Sequence, residues 1–375
     1  MKKINAAVVG CGVISGVYLT SFQNVFSPVN VVSCSDQDER KMKSTAEKFG
    51  LKAETYEHIL NDREIGMIIN LTSPKAHFSV TKQALEHGKH VYSEKLIAAS
   101  YDEGKILCCL AEQNKLRLGA APDTFLGGSV QTVKYMADKG YIGKISSGVV
   151  SLSRDYKVFG ENLPHLFQKE SSILADMGCY YLTALCAVLG PAKRVFAFGR
   201  KNEETHKVTR VTSPFFGEEI TVGAEHIITA VLEFENGALV TMHFNGSSSY
   251  NETFRLELYG EKGIIYMGNP NLFGGDVYIS KPGNTALKVP FTHGFLKEAR
   301  GLGAAEMAWS ILSGRPHRAA KETALHILEI IEKTEKSCET GKAEDMESRM
   351  RVPEPLPEGY IGSGYWEPDE ESALI

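Results

Sequence analysis

Gly10-Cys11-Gly12-Val13-Ile14-Ser15 fits the spacing G-x-G-x-x-G/A with serine in the third place, directly after a short apolar run and at the start of a helical pattern. The first glycine permits a tight turn, the second lets a pyrophosphate approach bare backbone, and the third position must be small so that helix and strand can pack. A phosphate there would sit on the free N–H groups and positive end of the helix, so Gly10, Gly12, Val13 and Ile14 are the expected contacts. Asp36 closes the second β-rich run 21 residues beyond Ser15. A carboxylate at that place accepts hydrogen bonds from an adenosine ribose diol and repels a 2′-phosphate, and Gln37 follows rather than arginine, which favours NAD over NADP. Alone, the motif also fits a plain glycine-rich turn and Asp36 a helix cap. Asp176 and Tyr180 form a second constellation: four residues apart in a helix that Gly190-Pro191 ends, they project from one face, with Thr183 on the same stripe.

The elements that must position these groups come from a change of rhythm along the chain. Up to about residue 120, β-rich runs (6–9, 29–33, 67–71, 90–92) alternate with helical patterns, the mark of βαβ units and a parallel sheet. Asp38 can cap the helix after it and Gly50 can close that helix, while the segment from His77 to His87 ends at Gly88. Beyond residue 123 come a helix to Lys139, a strand over 144–153 and a strong helix over 172–189. From Glu225 the period falls towards two, and Glu235-Asn236-Gly237 and Glu261-Lys262-Gly263 read as hairpin turns. The expectation is an α/β protein: a doubly wound parallel domain over 1–122, then 123–375 with a large, mostly antiparallel open sheet. Helices near 305–340 should pack back on the first domain, and 352–375 should be irregular.

Composition narrows the function classes. The chain has 375 residues, 43% hydrophobic and 23% charged, with a formal net charge of −5, which is ordinary globular composition. No Lys/Arg-rich block offers the clustered cations that nucleic acid binding rests on. No apolar run approaches the ~20 residues of a membrane span, and glycines break the N-terminal apolar run where a signal peptide would continue. Seven scattered cysteines without a C-x-x-C pair read as reduced residues in a cytoplasmic protein. The eleven histidines show no H-E-x-x-H and no His/Cys cluster, so no metal is expected.

Three further stretches resemble the Gfo/Idh/MocA family of glucose-fructose oxidoreductase and inositol dehydrogenase relatives, and the likeness runs from residue 4 to about 345. Asn70-Leu71-Thr72-Ser73-Pro74-Lys75-Ala76-His77 is similar to the family's T-x-P-x-x-x-H, His87 to Leu96 to its G-K-H-V-x-x-E-K-P, and Asp176-Met177-Gly178-Cys179-Tyr180 to its D-x-G-x-H. The resemblance implies a Rossmann domain that holds NAD and adds Thr72, Ser73, Pro74, His77, Glu94, Lys95 and Asp123 to the cofactor contacts, although His77 also suits a place packed beneath the cofactor loop. Two positions depart from it. Leu96 replaces a proline that is often in cis, and Tyr180 replaces the histidine that commonly acts as acid/base.

Oxidising a secondary alcohol needs a cofactor face for the hydride and a group that takes or shares the hydroxyl proton. Lys95, at the C-terminal end of a parallel strand, can act as an ammonium that stabilises the developing alkoxide, or as a neutral amine if desolvation depresses its pKa. Asp176 can pair with it, Tyr180 can bond the reacting hydroxyl, and His165, just before the helix, can replace the missing histidine as proton acceptor. The resemblance implies a sugar, glycoside or cyclitol substrate, with C3 of a hexose or glycoside favoured. Two alternatives stay open: a redox-neutral enzyme that keeps its NAD, eliminating or passing hydride between sugars, and a non-catalytic NAD or sugar sensor. It also implies a homo-oligomer formed through the C-terminal sheet.

Overall fold

The computed structural model describes residues 2–168, 171–248 and 252–357. Six parallel strands form the first sheet: β1 Ile4–Val9, β2 Val29–Ser35, β3 Lys52–Ala53, β4 Met67–Asn70, β5 His90–Ser93 and β6 Leu118–Ala120, in the order β3-β2-β1-β4-β5-β6. Helices cover both faces, so central strands read as unbroken apolar runs, and every residue of β4 is buried. The order reverses between β1 and β4, and the crevice beyond the C-terminal ends of the strands at such a switch point is where open α/β sheets bind ligands. Local punctuation matches the sequence reading: the Asp38 carboxylate accepts from Arg40 N at 3.0 Å, and Gly50 ends the helix Glu39–Phe49 in the left-handed region at φ 67°. The helix expected from His77 begins earlier, at Pro74, because proline's fixed φ and missing N–H suit the first helical position.

The remaining strands are β7 Ile145–Ser153, β8 Ala192–Arg200, β9 Thr205–Lys207, β10 Glu219–Thr221, β11 Ile227–Phe234, β12 Leu239–Asn245, β13 Thr253–Gly260, β14 Gly263–Tyr266, β15 Val277–Ser280, β16 Leu287–Val289 and β17 Glu344–Asp345. Nine of them form one sheet in the order β16-β15-β14-β13-β7-β12-β11-β8-β17, antiparallel throughout except where β7 runs beside β12. Both hairpins expected from Asn-Gly and Lys-Gly turns are present, β11 with β12 and β13 with β14. Along β11 the residues alternate: Ile228, Ala230 and Leu232 join the core, while Thr229 and Val231 face outward.

Two expected helices are divided. The stretch after Asp123 becomes a 3₁₀ turn, Thr124–Leu126, and a helix, Gly128–Asp138, because the Gly127 backbone lies against Phe273. The stretch from Ser172 opens with a π-helical turn, Leu174–Gly178, before the α-helix Cys179–Leu189. Late in the chain, the helix Lys321–Thr340 packs on the helix Tyr101–Gln113, and its Glu332 accepts from Tyr101 N at 2.7 Å. Ahead of it, the segment 317–320 lies along β6, with Ala120 N donating to Ala319 O at 3.3 Å. Of the expected irregular tail, 352–357 has no regular structure, and Leu356 N donates to Gln131 at 2.7 Å; the rest, 358–375, lies outside the described residues. Among the described residues no helix is long and apolar enough to cross a membrane.

Candidate active site

The dinucleotide turn is built by close backbone contacts. Gly10 has φ 101°, and a Cβ there would stand 2.5 Å from the Leu71 carbonyl, so only glycine fits. A Cβ on Gly12 would meet nothing within 4 Å, which leaves open the space that a pyrophosphate needs. Val13 stands at the tip, 98% exposed, and Ile14 lines the cleft. Ser15 suits the third position because its side chain is buried and its hydroxyl donates to Gly12 O at 2.6 Å, closing the turn on itself. Asp36 braces the same turn: Oδ2 accepts from Cys11 N at 2.7 Å and Oδ1 from Asp38 N at 2.8 Å. The helix cap is therefore Asp38, and Asp36 stays beside the turn with oxygen lone pairs to spare. These residues fit NAD, whose pyrophosphate would lie over Gly12–Ile14 and whose adenosine ribose would reach Asp36.

At the other end of the cleft, β4 and β5 deliver their loops side by side. Asn70 Oδ1 accepts from Thr72 N at 3.2 Å and from the Thr72 hydroxyl at 2.6 Å, fixing the strand end that leads through Ser73 into Pro74. His77 is 1% exposed beneath both loops, with Nδ1 2.6 Å from Leu96 O and Nε2 3.0 Å from Thr72 O. Burial holds its pKa below the usual value, and the neutral ring, with a single N–H, donates to one of these two carbonyls at a time. Glu94 is held at both oxygens, Oε1 by the Tyr18 hydroxyl at 2.7 Å and Oε2 by Lys95 N at 3.0 Å. The Lys95–Leu96 peptide is cis although leucine stands where the family motif has proline.

Lys95 Nζ donates to Asp176 Oδ1 at 2.6 Å and to the Asp176 backbone carbonyl at 2.8 Å, and lies 5.6 Å from the centre of the Tyr180 ring. Burial alone would depress the lysine, but Asp176, Tyr180 and Cys179 outweigh it and raise its pKa above the ordinary value. Direct pairing with Asp176 favours the ammonium form of Lys95 over the neutral amine, since it offsets the burial of a cation. Asp176 is the mirror case. Burial would raise its pKa, and Lys95, Tyr156 and Arg154 together hold it below the usual carboxylate range. Burial pushes the Tyr180 phenol up to about 12 although Lys95 and Arg300 pull the other way.

His165 sits on the 3₁₀ turn Pro164–Phe167 and lines the same cleft, of about 200 Å³, with Lys95, Asp176 and Ile14. It keeps solvent contact, and desolvation first and Lys95 next hold its pKa below 6.5 against the pull of Asp176. Asp123 is 1% exposed, and its Oδ2 accepts from Gly301 N at 2.9 Å and Gly303 N at 3.0 Å, so it anchors the loop bearing Arg300. Thr183 is buried with its hydroxyl on Cys179 O at 2.8 Å, so the stripe stops at Tyr180.

Sequence reasoning missed three polar neighbours of this centre. The Tyr156 hydroxyl donates to Asp176 Oδ2 at 2.8 Å. Arg300, whose guanidinium lies beside Tyr180, bonds Asn271 Oδ1 at 2.9 Å and pairs with Glu298. Arg154 stacks on Phe159, 4.1 Å from the ring centre, and approaches Glu252 at 3.5 Å. Asp155 before Tyr156 is a readable helix cap, accepting from Lys157 N at 2.9 Å, but nothing local announces the reach to Asp176.

Comparison with known proteins identifies the family and the fold. Residues 4–121 match the model described as the oxidoreductase family, NAD-binding Rossmann fold (GFO_IDH_MocA), and residues 130–266 match the GFO/IDH/MocA C-terminal domain. The uncharacterized oxidoreductase YrbE of Bacillus subtilis is 22% identical over 271 residues, 72% of this chain and 74% of that protein. Inositol 2-dehydrogenase of Salmonella typhimurium is 29% identical over 100 residues, 26% of this chain and 30% of that protein. The structure of levoglucosan dehydrogenase in complex with NADH and L-sorbose superposes with a TM-score of 0.81 at 17% identity, covering 92% of this chain and 99% of the other.

Proposed function

The chain belongs to the Gfo/Idh/MocA family of NAD-binding oxidoreductases, and from that premise we propose that it transfers hydride between NAD and a ring secondary alcohol of a sugar, glycoside or cyclitol, most favourably C3 of a hexose or glycoside. The inositol 2-dehydrogenase relative and the levoglucosan dehydrogenase of like fold support the substrate class. The observation that carries the reading is the Lys95 ammonium, held by Asp176 at 2.6 and 2.8 Å in the cleft that the dinucleotide turn enters.

Bound NAD would supply the hydride acceptor. An ammonium has three N–H groups, and Lys95 gives two of them to Asp176. The third donates to the substrate oxygen and stabilises the alkoxide as it develops. Asp176 holds the ammonium in place and stays ionised. His165, neutral and in the same cleft, accepts the hydroxyl proton at a ring nitrogen, and Tyr180 hydrogen-bonds the reacting hydroxyl. Positioned proton transfer of this kind contributes about 10² to 10⁴ in rate.

The working form we propose is a homo-oligomer in which a second copy covers the outer face of the nine-stranded sheet. Phe196, Phe198, Val231 and Leu239 stand exposed on that face, with Phe198 64% and Leu239 51% accessible, and Phe196 pairs with Val231 across the strands. All seven cysteines are free, which supports a reducing compartment, the cytoplasm.

Absorbance of reduced nicotinamide tests the reading. The protein with NAD is offered hexoses, aryl glycosides and inositols, and sustained NADH release with one class is the expected result. Sugars chemically altered without NADH release would point to a retained cofactor, and sugars left untouched across the panel would overturn the proposal.

A further inference from the structure

Arg154 follows β7, with its backbone N–H on Asn245 O at 2.9 Å. Its guanidinium lies 4.1 Å from the centre of the Phe159 ring and 5.8 Å from that of Tyr156, whose hydroxyl bonds Asp176 Oδ2 at 2.8 Å. Lys95 thus reaches Asp176 from the parallel domain, and Arg154 approaches it from the other. A guanidinium carries five N–H donors, and buried donors are normally bonded. Arg154 departs from that rule. Its side chain is 12% accessible, Nε is buried with no hydrogen-bond partner, and the nearest carboxylate oxygen, Glu252 Oε2, stands 3.5 Å from it. The contacts of the guanidinium among the described residues are two aromatic rings and this loose ion pair.

Glu252 supplies the complementary half. Its Oε1 accepts from Asn269 Nδ2 at 3.1 Å, and Asn269, 8% exposed, also accepts from the Tyr181 hydroxyl at 3.4 Å and from Asn271 N at 3.0 Å. The carboxylate is therefore fixed, while Oε2 keeps its lone pairs on a side chain that is 35% accessible. A fixed donor and a fixed acceptor, side by side and beyond hydrogen-bond reach of each other, match a group that accepts and donates through one atom. A hydroxyl does both. A ligand carboxylate only accepts, and the negative charges of Glu252 and Asp176 would repel it.

We propose that Arg154 and Glu252 clamp a second ring hydroxyl of the substrate, one that is not oxidised: it accepts from the guanidinium and donates to Glu252 Oε2. The ring is then held at two points, the reacting hydroxyl at Lys95 and this one on the other side of Asp176. The clamp rests on the function proposed above and deepens it, since the substrate must carry a free hydroxyl at a further ring carbon. Arg154 sets specificity and moves no proton.

The test titrates the NADH-bound full chain with methyl β-D-glucopyranoside and with the analogues lacking the hydroxyl at C2, C4 or C6. One analogue is expected to bind the native chain at least about tenfold more weakly than the parent. Arg154→Met keeps a long stem against the two rings and removes the donors. This variant is expected to bind the parent as weakly as the native chain binds that analogue, to lose nothing further with the analogue, and to keep its NADH affinity. Glu252→Ala, at a partly accessible position, should flatten the same difference and serves if Arg154→Met fails to fold. A variant that still discriminates as the native chain does, or a native chain that binds all four sugars equally, overturns the clamp and leaves the dehydrogenase reading in place. Discrimination that both substitutions erase, in a protein that releases no NADH, supports the clamp and counts against the proposed function alone. A native chain that binds none of these sugars loses both.

Discussion

Lys95 and Asp176 meet twice: the ammonium donates to the carboxylate at 2.6 Å and to the same residue's backbone carbonyl at 2.8 Å. The second contact depends on the π-helical turn Leu174–Gly178, which widens the helix at this point; such turns are rare and concentrate at functional sites. Lys95→Ala removes both contacts and the proposed donor to the substrate oxygen. Turnover is expected to fall by about 10² or more with the NAD dissociation constant unchanged. Steady-state rates and an NAD titration on the same preparation check this, and full turnover would remove Lys95 from the chemistry.

The proton acceptor proposed above, His165, should set the pH profile. The neutral imidazole of His165 is favoured because burial, then Lys95, hold its pKa below 6.5. Sugar oxidation needs that neutral form, so kcat/KM is expected to rise with pH through a midpoint below 6.5 and to level off above it. His165→Gln should abolish this limb. A limb that survives the substitution assigns proton transfer to another group.

The two glycines of the turn separate folding from binding. Gly10→Ala forces a methyl to 2.5 Å from the Leu71 carbonyl at a positive φ, so the melting temperature should drop by several degrees, corresponding to a loss of a few kcal/mol. Gly12→Ala meets no protein atom within 4 Å, so its melting temperature should hold while NAD affinity falls. Thermal melts with and without NAD distinguish the pair, and an unaltered NAD affinity in Gly12→Ala would place the pyrophosphate elsewhere.

Asp36→Ala removes the proposed ribose acceptor and the brace on Cys11 N. Calorimetric titration is expected to show NAD binding weakened about tenfold or more, a loss on the scale of one charged hydrogen bond. Discrimination against NADP should shrink at the same time, because the carboxylate that repels a 2′-phosphate is gone. An unchanged dissociation constant would mean that the ribose is held by other groups.

Phe198→Glu puts a charge on the exposed face of the nine-stranded sheet, where phenylalanine is 64% accessible and packs edge-on against Phe196 at 5.1 Å. Light scattering is expected to show an oligomer for the native chain and a monomer for the variant. An unaltered mass would move the interface off this face.

What could be read from sequence was what local chemistry decides. The Gly10–Ser15 turn, the Asp38 cap and the Asn236-Gly237 hairpin each declare themselves within a few residues, because backbone conformation and capping are local. Lys95 and Asp176 were legible as separate motif residues, and their meeting followed from the domain arrangement. Tyr156 and Arg300 were invisible because their partners, Asp176 and Tyr180, stand 20 and 120 residues away along the chain. The anchoring role of Asp123 was hidden for the same reason: the loop that it holds, Gly301–Gly303, begins 178 residues further along the chain.

The segment 317–320 along β6 makes the two halves of the chain interdependent. Its Ala319 carbonyl occupies an amide on the last strand of the parallel sheet, and the helix Lys321–Thr340 that follows covers the helix Tyr101–Gln113. A truncated product ending near residue 122 would therefore expose an open strand edge and an uncovered helix flank, a template for aggregation. Limited proteolysis should therefore release no stable N-terminal fragment, because the helix Lys321–Thr340 is needed to cover that flank.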